Sequence, residues 1–111
     1  MGPLRVVTIR TFPVHGAPGV DHVRVQVGET GLVGDRPKKA AVSLVGTDAP
    51  ATRANLVLDA PTELVEALAG TQVRIGGALL AVRVTGTSCP GLYAAVDEAG
   101  SIGLGDAVEP G

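Results

Sequence analysis

The sequence predicts a small, mainly β protein: a closed or nearly closed β-barrel with one short helix near residues 61–69. Three observations carry that prediction. β-Branched residues gather in short runs, glycine-containing turns separate the runs at fairly regular intervals, and a single stretch carries both a helix start and a helix stop. Closure is expected because open sheet edges invite pairing with other chains.

The first run, residues 4–9, and the second, residues 20–27, read as strands. In the second, Val23, Val25 and Val27 alternate with His22, Arg24 and Gln26, the period of a half-buried strand. Pro13, Gly16, Pro18 and Gly19 mark the stretch between them as a loop. A third run, 40–45, follows the glycine-rich turn 31–36, and a fourth, 55–58, ends at Asp59. Asp59 is then placed to cap a helix starting near Pro61, with Glu63 and Glu66 suited to its positive end. Leu64, Val65 and Leu68 supply a buried stripe, and Gly70 a left-handed stop. Gly76-Gly77 between 71–75 and 78–84 predicts a tight hairpin. The run 92–96 and a short stretch at Ala107-Val108 complete seven or eight strands.

With 111 residues the chain is expected to form one domain, 1–111, around one core. That core is aliphatic, since 45% of the residues are apolar but only one Phe, one Tyr and no Trp are present. Few aromatics and a net charge of -2 argue against nucleic acid as a partner, because neither stacking platforms nor a basic footprint is available. No run approaches the roughly 18 apolar residues that span a bilayer. Arg5 and Arg10 interrupt the N-terminal apolar residues, so neither export nor a membrane is indicated. A single cysteine, Cys89, cannot form an internal disulfide, and a reduced thiol in the cytoplasm is the expectation.

Several segments resemble the MOSC domain family, the C-terminal module of molybdenum-cofactor sulfurases, in collinear order. Phe12-Pro13-Val14 with Gly16 resembles the family's Tyr-Pro-Val-Lys segment, with His15 where many relatives have lysine. Gly31-Leu32-Val33-Gly34-Asp35-Arg36 resembles its Gly-Leu-x-Gly-Asp-Arg motif, and Arg53-Ala54-Asn55-Leu56-Val57 its Arg-x-Asn-hydrophobic stretch. Residues 70–82 resemble its Arg-Ile-Gly hairpin, Ser88-Cys89-Pro90 takes the place of its cysteine, and Gly105-Asp106-Ala107-Val108 resembles its ending. The resemblance runs from about residue 10 to residue 108 and implies a barrel like that of pyruvate kinase. The stretch between Arg36 and Arg53 is shorter than in most members.

The resemblance implies sulfur or metal chemistry at Cys89. In sulfur-handling members the cysteine is proposed to carry sulfur from a cysteine desulfurase to a molybdoenzyme's cofactor; in reductases of the family it ligates molybdenum. Pyridoxal phosphate binding is a further property of family relatives. On the residues themselves, a thiolate flanked by cations accepts sulfur or binds a soft metal, whereas a free cysteine is also a small buried hydrophobe. Asp35, Arg36, Arg53, Asn55 and His15 are the candidate residues for an anionic cofactor such as the molybdenum cofactor, with Arg36 and Arg53 as donor forks. Asp35 and Asn55 also suit a structural role. His15 and His22 match no compact metal spacing. Three readings follow: an accessory protein of molybdenum-cofactor and sulfur metabolism, a molybdenum-dependent reductase component, and a non-catalytic minimal barrel acting as a binding or assembly module, with a homodimer as one form of it.

Overall fold

The computed structural model describes residues 4–14, 16–35, 41–48, 54–84 and 92–111. Its strands are β1 (Val6–Thr11), β2 (Val20–Asp21), β3 (Arg24–Gly28), β4 (Gly31–Leu32), β5 (Val42–Gly46), β6 (Leu56–Leu58), β7 (Gln72–Ile75), β8 (Ala78–Val84), β9 (Leu92–Glu98), β10 (Gly100–Gly103) and β11 (Val108–Pro110), with one helix, α1 (Thr62–Glu66), between β6 and β7. The mainly β class with one short helix holds.

Eight strands form one sheet in the order β11-β7-β8-β9-β5-β6-β1-β2, and three form another, β10-β3-β4. Among the described strands only β5 and β6 pair in parallel. The closed or nearly closed barrel expected from the sequence is met only in part: the large sheet curls into a half-barrel with β11 and β2 at its edges and does not close. The reason lies in the pairing. β3 takes β10 and β4 as partners rather than a strand of the large sheet. Among the described residues the open side is spanned at the isolated bridge Arg5–Ala107, where Val6 N–H donates to Asp106 O at 3.0 Å and Val108 N–H to Leu4 O at 2.7 Å.

One aliphatic core lies between the two sheets. Ile9, Leu44, Leu56, Ile75 and Leu80 from the half-barrel and Val27 and Ile102 from the smaller sheet are all buried in the same cluster. Burying such side chains stabilises by roughly 1.5–3 kcal/mol each, which suffices to hold the smaller sheet against the larger.

Locally, the Gly76-Gly77 hairpin forms as expected, with Ile75 opposite Ala78 and Gly76 alone at positive φ (57°), the arrangement of a II′ turn. Three expectations are corrected. The run 20–27 is two strands, because 20–21 pair with β1 and 24–27 with β10. Asp59 does not cap α1: its carboxylate accepts Arg5 N–H at 2.7 Å, and Asp48 instead accepts Thr62 N–H at 2.7 Å. Leu64 is 42% exposed, so the buried face of α1 is Thr62 and Val65, with Leu68 packed after the helix.

Candidate functional site

Among the candidate residues the structure describes Asp35 and Asn55, and it brings them together. Asn55 precedes β6 and Asp35 follows the turn after β4. Asp35 N–H donates to Leu32 O at 3.0 Å, and Gly34 has a positive φ of 94°, which bends the chain so that the Asp35 carboxylate faces inward. One carboxylate oxygen accepts Phe12 N–H at 2.7 Å, and the other accepts Asn55 Nδ2–H at 3.2 Å.

Asn55 is fully buried and saturated with partners. Its Nδ2 also donates to Arg10 O at 3.1 Å, while its Oδ1 accepts Ser43 N–H at 3.1 Å and Ser43 Oγ–H at 3.2 Å. Its own N–H donates to Ser43 Oγ at 2.8 Å. The end of β1, the middle of β5, the start of β6 and the turn at Asp35 are thereby fastened at one point. A buried amide satisfied in this way is stabilising, whereas the same group unpaired costs several kcal/mol. Ser43, which has no catalytic surroundings in the sequence, is the partner that sequence reasoning missed. Its contact with Asn55 depends on the parallel β5–β6 pairing, for which the sequence carries no local signal.

Arg36, Arg53, His15 and Cys89 lie outside the described residues. The described flanks of the Cys89 segment can be placed. Val84 pairs with Leu92, Leu92 with Leu44, and Leu44 with Leu56, the residue after Asn55. At about 4.8 Å per strand step, Leu92 is roughly 10 Å from Leu56 across the sheet.

The other motif segments also meet partners. Asp106 accepts Gly103 N–H at 2.8 Å, and a Cβ on Gly76 would strike both the Asp106 carboxylate and Ser101 O. A shallow depression of about 230 Å³ lies there, lined by Arg74, Gly76, Asp106, Ala107 and Glu109. A Cβ on Gly31 would run into the Ala41 carbonyl, and Gly31 has a φ of 122°, so only glycine suits that turn. His22 Nε2 lies 2.8 Å from Thr11 Oγ1. Among the described residues no group of three or more His, Cys, Asp or Glu side chains is arranged to hold a metal ion. No helix among them is long and apolar enough to cross a membrane.

Among the described residues two carboxyls are shifted, both below their ordinary value. The hydrogen bond from Arg10, at 2.6 Å, holds Asp21 down, and the Thr62 backbone N–H does the same for Asp48. Neither belongs to the Asp35–Asn55 cluster.

No protein-family model and no curated protein matches the chain. Solved structures do. One, described as the crystal structure of a hypothetical protein, superposes with a TM-score of 0.76 at 18% identity, covering 97% of this chain and 67% of that one. Another, the YuaD protein from Bacillus subtilis, superposes with a TM-score of 0.75 at 12% identity, covering 97% of this chain and 95% of that one. At such identities the likeness is one of fold, and this chain shares the fold of both.

Proposed function

We propose that this chain is a MOSC-like accessory protein of molybdenum-cofactor and sulfur metabolism, with Cys89 carrying sulfur or ligating molybdenum and Arg36 and Arg53 holding an anionic group of the cofactor. The observation that carries the reading is the Asn55–Asp35 hydrogen bond of 3.2 Å. It joins two motif segments that are distant in the sequence, one with Arg36 directly after Asp35 and one with Arg53 two residues before Asn55. Asp35 and Asn55 are themselves engaged by the backbone, so in this reading they position the two segments. An anionic cofactor needs cationic forks, and the arginines are the residues of these segments that provide them. The cofactor, when bound, supplies the metal and its redox chemistry.

The reading relates the curled sheet to the pyruvate-kinase-type barrel of the family and sets the thiol in the reducing cytoplasm. It takes a cysteine desulfurase as sulfur donor and a molybdoenzyme as recipient. Incubation with a cysteine desulfurase and cysteine, followed by mass spectrometry, is expected to show an added sulfur on Cys89 that Cys89→Ser lacks. Metal analysis of protein from a cofactor-producing host tests ligation by the same residue. If neither sulfur nor molybdenum is found on the wild-type protein under conditions that load a known acceptor, the proposal fails.

A further inference from the structure

A second surface stands apart from the cysteine chemistry, on the seam between the two sheets. Val23 is 75% exposed, Val7 45% and Leu104 43%. Backbone bonds draw all three to one place. Leu104 N–H donates to Val23 O at 2.9 Å, while the neighbours of these residues dock on β1 either side of Val7: Gly105 N–H on Val6 O at 2.8 Å and His22 N–H on Ile9 O at 2.9 Å.

Two guanidinium groups flank Leu104. Arg5 Nη1 donates to Gly105 O at 3.0 Å, and the Arg24 guanidinium lies over Gly103, within 2.8 Å of where a Cβ would stand, with Nη1 3.4 Å from Ser101 Oγ. Neither arginine forms an ion pair among the described residues. Two carboxylates stand nearby, both engaged by backbone N–H groups rather than by the guanidinium groups: Asp59, which accepts Arg5 N–H, and Asp106, which accepts Gly103 N–H and is turned against Gly76. The seam is thus an aliphatic patch flanked by two guanidinium groups that have no ion-pair partner among the described residues, on a chain whose net charge is -2.

The opposite pattern stands on α1. Leu64 is 42% exposed between Glu63 and Glu66, both exposed and neither ion-paired among the described residues. Aliphatic centre meets aliphatic centre, and two cations meet two anions. The geometry points to self-association, in which Leu64 of one copy seats on Val23 and Leu104 of another, with Glu63 and Glu66 facing Arg5 and Arg24. Charge complementarity of this kind selects the partner and its register, while the aliphatic centre supplies the burial. Under two-fold symmetry the contact forms twice, once in each direction.

Sedimentation equilibrium of the full chain tests the proposal. Wild type is expected to form dimers at low salt, with association weakening as salt screens the rim. Arg5→Glu/Arg24→Glu and, separately, Glu63→Arg/Glu66→Arg are each expected to weaken association by about tenfold or more. An equimolar mixture of the two variants should recover it, because each contact in the mixed dimer again joins opposite charges. Arg24→Glu alone, which leaves the Arg5 bond to Gly105 in place, serves if the double variant does not fold, and is expected to weaken association in the same direction. A wild-type chain that stays monomeric at every concentration, or association that neither variant alters, overturns the proposal.

Discussion

Asn55 uses every hydrogen-bonding atom of its amide, and the three segments it joins come from positions 10, 35 and 43. Replacing it by leucine keeps the bulk but removes one donor from the Asp35 carboxylate and leaves Arg10 O and Ser43 N–H without the amide's bonds in the interior. Asn55→Leu is expected to lower stability by about 3 kcal/mol in urea unfolding, and Ser43→Ala by about 1 kcal/mol. A loss for Asn55→Leu no larger than that for Ser43→Ala would show that water replaces the amide and that the clamp is weak. The pairing of Asp35 with Asn55 is not legible in the sequence, because alternation places a residue on one face of a strand without saying what covers that face. The residue types were legible, since short polar side chains set among aliphatic ones are there to bond something.

At the scale of elements, α1 is held by groups outside it. A Cβ on Gly46 would collide with the Ala60 carbonyl and Thr62 N, and Gly46 N–H donates to Thr62 Oγ1 at 3.1 Å. Gly46→Ala is expected to cost about 2 kcal/mol, since α1 must move off β5; thermal unfolding checks this. Asp48 at the helix start has its carboxyl held below 3.8 by the Thr62 N–H. A depressed carboxyl leaves the unfolded chain binding more protons, so its contribution is complete above 3.8 and is lost as pH falls through the lower folded value. The melting-temperature gap between wild type and Asp48→Asn should accordingly close on acidification below 3.8. A gap constant with pH would mean that the asparagine caps differently rather than less well.

These elements also show what local pattern reveals and what it leaves out. Gly76-Gly77 specifies its hairpin because the turn needs only its own dihedrals. The choice between Asp59 and Asp48 as cap was invisible, because Asp59 is drawn away by Arg5 from the other end of the chain segment pairing. β10, with two glycines in four residues, has no strand signature and exists through its pairing with β3. The valine alternation across 20–27 is real but cannot record that the chain changes sheets at His22.

For the whole molecule, the expectation of a closed or nearly closed barrel was met as far as a curled half-barrel and missed closure where strand partners are chosen over long separations, while the aliphatic core was legible from composition. Ile102 is fully buried in the core that both sheets share. Ile102→Ala should cost about 2–5 kcal/mol and leave a single transition, with Tyr93 fluorescence from β9 coinciding with far-UV circular dichroism. Separate transitions would show that the smaller sheet melts by itself.

The bridge between Arg5 and Ala107 has a consequence for how the chain acquires its shape. Arg5 also reaches Gly105, 100 positions away, so the contacts that span the open side join residues near opposite ends of the chain. Contacts so distant in sequence close slowly, and chains dominated by them fold in milliseconds to seconds. A chain emerging from the ribosome can pair β1 with β6 early, but β1 keeps a bare edge at Val6 until 105–106 arrive. For that interval the nascent protein carries the exposed strand that its finished form hides, and it is then most open to mispairing with a neighbour.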